Sequence, residues 1–103
     1  MSPEIAARLE RLEIQLAAQT KDYWLLVREN CMALVQAGEN GAASIGSSGI
    51  MTEEGLAYLV WREGRALLAA HGGKETPATA EQSAAVTRFS EDLQQAFQPD
   101  AIR

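Results

Sequence analysis

Cysteine and histidine occur once each in this 103-residue chain. A single thiol, Cys31, cannot close an internal disulfide, which fits a reducing compartment. One thiol and one imidazole, His71, cannot build a conventional zinc site. Glu53, Glu54 and Glu63 do not follow the Glu-x-x-His pattern of di-iron bundles. Neither a metal nor a cofactor is expected. Basic residues are also scarce: nine Lys plus Arg stand against 14 Asp plus Glu, a net charge of −5. That balance argues against nucleic acid, where phosphate neutralisation dominates affinity, and against an anionic membrane surface. It suits a basic surface on a partner protein. Long apolar runs are missing, so no membrane helix is expected. The opening MSPEIAARLERLE has no continuous apolar core, so no signal peptide is read and a cytoplasmic location is expected.

The lone Cys–His combination gives little support for catalysis. Cys31 lies among large apolar residues, which raise a thiol pKa and make it inert. His71 near a helix C-terminus is accounted for by the helix dipole. Gly41 to Gly46 has the outer spacing of a phosphate loop, but Ser47 and Ser48 stand where Lys and then Ser or Thr are needed. Glu53 and Glu54 behind it would repel a phosphate. No catalytic site is read, and the chain is expected not to be an enzyme.

What the sequence has in quantity is apolar helix-forming residues, 47% of the chain being hydrophobic. The most apolar stretch is Tyr23 to Val35, YWLLVRENCMALV. It lacks strict alternation, contains Met32, Ala33 and Leu34, and meets Gly38 as a natural stop, so it reads as a buried helix. Ser2, Pro3 and Glu4 open a helix, and Ile5, Leu9, Leu12 and Leu16 continue it as a heptad-like seam that runs on through Tyr23. Thr52 with Glu53 and Glu54 caps a second helix, which Gly72 and Gly73 end. Thr79-Ala80-Glu81-Gln82 forms a capping box for a third, with Ala85, Val86, Phe89, Leu93 and Phe97 along one side.

The resulting expectation is one all-α domain, a small bundle of three helices over about 3–37, 53–71 and 80–97, joined by a Gly/Ser-rich loop (38–51) and a short linker (72–79), and assembled as a homodimer. Arg28-Glu29-Asn30 and Arg62-Glu63 are read as facing solvent, and Trp24 and Trp61 as ordinary core. Tyr23 to Asn40 lies over Ala57 to Lys74 without a gap, matching Leu25/Leu59, Arg28/Arg62, Glu29/Glu63, Leu34/Leu68 and Gly38/Gly72. This echo reads as convergent helix chemistry.

A helix of some 35 residues is about 50 Å long, too long for two shorter partners to cover. Its stripe therefore looks outward, and Ile5, Leu9, Leu12, Leu16, Tyr23 and Trp24 are the expected partner or dimer interface. The function this implies is a small acidic regulator that binds and inhibits or modulates another protein, such as a transcription regulator, in the manner of an anti-activator. The alternative is a small enzyme or ligand-binding domain with an interhelical pocket near Trp24, Trp61, Cys31 and His71. A scaffold subunit of a larger complex is a further alternative.

Overall fold

A computed structural model describes residues 3–37, 43–53, 55–70 and 72–97. It overturns the all-α bundle. The chain forms an eight-stranded antiparallel sheet with a helix at each end of the sequence. In order these are α1 (Pro3–Arg11), β1 (Gln15–Gln19), β2 (Tyr23–Arg28), β3 (Cys31–Ala37), β4 (Ala43–Ile45), β5 (Gly49–Thr52), β6 (Gly55–Arg62), β7 (Arg65–Ala70), β8 (Glu75–Pro77) and α2 (Ala80–Phe97). The sheet order is β1-β2-β3-β5-β6-β7-β8, with β4 paired to the distal half of β3.

The expected first helix stops after nine residues. Ile14 N–H donates to the Leu9 carbonyl and Glu13 N–H to the Glu10 carbonyl, with Glu13 at φ 61°. That is a Schellman stop with a left-handed residue after the helix. Its hydrophobic clasp is Leu9 against Ile14, both in the core. Glutamate here takes the place usually filled by glycine, so no stop signal is visible in the sequence. Leu9 is 4% exposed, and Ile5 and Leu12 pack against the same core. Of the stripe that was expected to look outward, Ile5, Leu9 and Leu12 are covered by their own chain.

The stretch read as a buried helix is the β2–β3 hairpin, and the expected second helix is the β6–β7 hairpin. The expected Gly/Ser loop carries β4 and β5 in its described part, while its residues 38–42 lie outside the described residues. Thr52, expected as a helix cap, donates its hydroxyl to the Gly55 carbonyl in the β5–β6 turn. Glu54, expected in the first turn of that helix, and His71, expected in its last turn, lie outside the described residues.

α2 spans the stretch marked by its capping box. Thr79 N–H donates to Gln82 Oε1 (2.9 Å), and Gln82 N–H donates to Thr79 Oγ1 (3.0 Å). The helix lays Val86, Phe89, Leu93, Ala96 and Phe97 on one face of the sheet, against β3, β4 and β5. Leu26, Ala33, Val35 and Ile50 meet it from below. Trp24 stacks on Phe97, ring centroids 5.8 Å apart. Arg28, read as facing solvent, instead reaches under α2. Its Nη1 donates to Asp92 Oδ2 (2.8 Å) and to the Leu12 carbonyl (3.0 Å), and its guanidinium lies 5.5 Å from the centre of the Phe89 ring.

The echo in the sequence marks the two hairpins. Each turns through two residues, Glu29-Asn30 and Glu63-Gly64, and each first turn residue is a left-handed glutamate, at φ 54° and 51°. β2 and β6 lie three ladder steps apart in an antiparallel sheet, so they run in opposite directions. The rotation relating the hairpins therefore has its axis in the sheet, perpendicular to the strands. Such a rotation exchanges the two faces.

Two outcomes check this account. Arg28→Ala should destabilise the fold by about 2 kcal/mol, less than for a fully buried pair because both partners are part-exposed. A denaturant double-mutant cycle with Asp92→Asn should return a coupling of about 1 kcal/mol; additivity would show the pair idle. Glu63→Asn creates Asn-Gly in a turn with positive φ at both positions (51° and 78°), and should raise stability by up to about 1 kcal/mol, read as a shift in the urea midpoint.

Candidate interaction face

Alternation along the strands sorts the side chains. Trp24, Leu26 and Arg28 on β2, Cys31, Ala33 and Val35 on β3, Ile50 on β5, and Ala57 and Leu59 on β6 look toward the helices. The opposite face carries Tyr23, Leu25 and Val27, then Met32 and Leu34, then Leu56, Tyr58 and Val60, then Leu67 and Ala69. A solvated sheet face is ordinarily polar. This one is apolar from β2 to β7, and each of those ten residues is half-buried or exposed. Leu34 is 49% exposed, and Tyr23 and Tyr58 are also well exposed.

The face is concave. A groove of about 830 Å³ runs over it, with Leu25, Met32 and Leu34 on one side, Leu56, Tyr58 and Val60 on the other, and Gly46 and Ser47 between. Gly49 sits in β5 between Met32 and Tyr58. A Cβ there would come within 2.8 Å of the Ala57 carbonyl and 3.2 Å of the Tyr58 ring. The missing side chain lets Leu56 and Tyr58 lean across the centre of the sheet. At one end of the groove Arg62 and Arg65 are cross-strand partners on the same face. Like charges in direct opposition are unfavourable. Glu75 relieves the clash by accepting from Arg62 Nη2 (2.9 Å) and Nε (3.3 Å). The hydrogen bond from Arg62 holds the Glu75 carboxyl below its ordinary range. Arg65 is exposed and makes no ion pair among the described residues.

Of the six residues expected at an interface, Ile5, Leu9 and Leu12 are committed to the interior and Trp24 lies under Phe97. Leu16, on edge strand β1, is 44% exposed. Tyr23 alone reaches the open face, at its rim. The residues that sequence reasoning missed are Leu25, Leu34, Tyr58 and Val60. Their signal was the unbroken apolar run itself, read there as a helix.

The residues expected to line a pocket do not converge. Cys31 pairs with Arg28 beside the first turn, while Trp24 pairs with Val35 further along the ladder. Trp61 is 61% exposed and borders a shallow cavity of about 280 Å³ with Ser48, Leu59 and Val86, reached by neither Trp24 nor Cys31. His71 lies outside the described residues. Among the described residues, no group of three or more His, Cys, Asp or Glu could hold a metal ion, and no helix is long and apolar enough to cross a membrane.

Burial pushes the Cys31 thiol above its ordinary range, outweighing the nearby Arg28 charge. Its thiolate is therefore depleted at neutral pH. Iodoacetamide at pH 7 should leave Cys31 unmodified in the folded protein for hours and label it within minutes in denaturant. Rapid labelling of the native state, followed by intact mass, would mean that the thiol is open and reactive. Comparison with protein-family models, curated proteins and solved structures finds no match, so the functional reading rests on the geometry of the chain itself.

Proposed function

We propose that the chain is a small, acidic, non-enzymatic protein-interaction module that works in the cytoplasm. In this reading it is a regulator of the anti-activator type, which occupies a surface of another protein such as a transcription regulator. The supporting observation is the concave apolar face from Tyr23 to Ala69, which none of the described elements covers. Ten apolar or aromatic side chains in one contiguous patch exceed what a monomer ordinarily leaves in water. Hydrophobic burial per area favours covering them. A polypeptide is the occupant that fits, because the patch is broad and has few polar groups to orient a small molecule. The net charge of −5 suits a partner that is basic outside the contact.

The test is a paired charge insertion on this face, Leu34→Asp with Tyr58→Asp. Both positions are exposed, so far-ultraviolet circular dichroism and the urea midpoint should stay close to the parent. Immobilised parent should retain a stoichiometric polypeptide from lysate of the native cell, and the double variant should lose it by at least tenfold. Equal retention by parent and variant, or retention by neither, removes the reading.

A further inference from the structure

On the helix side of the sheet, away from the open apolar face, a shallow cavity of about 280 Å³ lies between α2 and β6. Register sets its contents. Leu59 and Trp61 project to the same side as Ala57, which is buried in the core. Ser48 precedes Gly49, so alternation places it on the side of Ile50, beside α2. From α2 itself come Thr87, Ser90 and Glu91.

The lining is chemically one-sided. Trp61 is the most exposed large apolar residue among those described, at 61%. Ser48 is 8% exposed, and its Oγ is buried with no hydrogen-bond partner among the described residues. An unpaired buried hydroxyl is unfavourable and uncommon in native chains. Rotation about χ1 between staggered wells turns it to the cavity. Thr87, Ser90 and Glu91 also make no side-chain hydrogen bond or ion pair among the described residues. Arg88, three residues before Glu91, is not paired with it. The one charge in the lining is therefore negative, and each polar side chain other than the indole can accept a hydrogen bond.

The ligand that matches is a flat cation that donates and does not accept. A guanidinium has five N–H donors, no acceptor and a face that stacks on an indole. A lysine ammonium carries the charge but lacks the fork that spans a carboxylate and a hydroxyl. The chain already holds one guanidinium in this manner, with Arg28 over the Phe89 ring and donating to Asp92 and a carbonyl. We infer that the cavity binds a guanidinium group, stacked on Trp61, with Glu91 balancing the charge and Ser48 and Ser90 accepting from its N–H groups. Cavities that enclose whole small molecules run from about 300 to 1,000 Å³, so a single head group is the size that fits. The net charge of −5 favours the approach of a cation. The cavity and the open apolar face lie on opposite sides of the sheet, so either site can fail without the other.

The probe is N-acetyl-arginine amide, titrated into the full, isotope-labelled chain at constant ionic strength. N-acetyl-citrulline amide is its neutral isostere. The indole N–H resonance of Trp61, assigned through Trp61→Phe, should move saturably with the arginine probe in the millimolar range. The citrulline probe should bind at least fivefold more weakly. Glu91→Gln should weaken the arginine probe about threefold, the worth of one exposed ion pair, and leave the urea midpoint unchanged. Ser48→Ala should also weaken it, with the urea midpoint at or above the parent's because an unpaired hydroxyl is removed. Methylguanidinium binding as tightly as the arginine probe would support a free small cation as occupant. Tighter binding of a Gly-Arg-Gly peptide blocked at both ends would support an arginine of a polypeptide. Equal response to citrulline, affinity unchanged by both Glu91→Gln and Ser48→Ala, or no saturation at tens of millimolar would each overturn the inference.

Discussion

The Arg28 guanidinium ties together β2, α2 and the segment just past α1. It projects from the end of β2, accepts the ring of Phe89 beneath it, bonds Asp92 on α2 and reaches the carbonyl of Leu12 just past α1. An arginine suits this role because a planar fork can serve two acceptors while its face packs on an aromatic ring. Its side chain is only 18% exposed, so leaving either acceptor unfilled would strand a charge in a poorly hydrated place. The hydrophobic contacts of α2 would hold it on the sheet at several registers. The pair with Asp92, together with Trp24 on Phe97 at the other end, fixes one of them. The difference between the two faces follows from α2 having a defined seat on one of them.

How much of this was legible in the sequence depends on whether local chemistry or distant pairing decides. The α2 boundaries follow from Thr79 and Gln82 bonding each other's backbone, an interaction that closes within four residues. Pro3 and Glu4 likewise open α1 where a helix start is signalled. The end of α1 was not legible. Glu13 adopts a conformation that sequence patterns assign to glycine, and it is held there by Leu9 and Ile14 meeting in the core. The sheet was illegible for a related reason. A strand is recognised by alternation, and alternation vanishes when both faces are apolar. Leu25 and Leu34 look away from the helices while Leu26 and Val35 look toward them, yet the sequence reads simply as apolar. The residues expected to form one interface are dispersed by the change of fold. Once α1 ends at Arg11, Leu9 and Leu12 turn inward, and of the expected interface residues only Tyr23 reaches the exposed apolar face.

The same double-sided greasiness that defeats sequence patterning is the physical case for binding. Most antiparallel sheets with one helix layer spend polar residues on the outer face, since water solvates them there without cost. Here the polar residues collect at the turns and edges instead: Glu29 and Asn30, Arg62, Glu63 and Arg65, and Gln15 and Gln19 on β1. Edge strands rich in glutamine, or short and ending in proline as β8 does, are poor templates for adding another strand. The edges are thereby blunted, and the uncovered apolar area is left on the face.

Face exchange gives that arrangement a source in the chain's own construction. A hairpin with one face suited to a helix, used twice in a continuous antiparallel sheet, puts the second copy's helix-binding face on the opposite side whenever an odd number of ladder steps separates the copies. Three steps separate β2 from β6. Among the described residues one long helix, α2, lies on the sheet, over β3, β4 and β5. Tyr58, Val60 and Leu67 are then left as the counterpart of a surface that, thirty-four residues earlier, is sealed by Phe89 and Phe97, while Arg62, the counterpart of Arg28, is held by Glu75 from within the sheet. Apolar area of this extent is unfavourable in water until another surface covers it, and its position follows from the face exchange and not from any local excess of apolar residues.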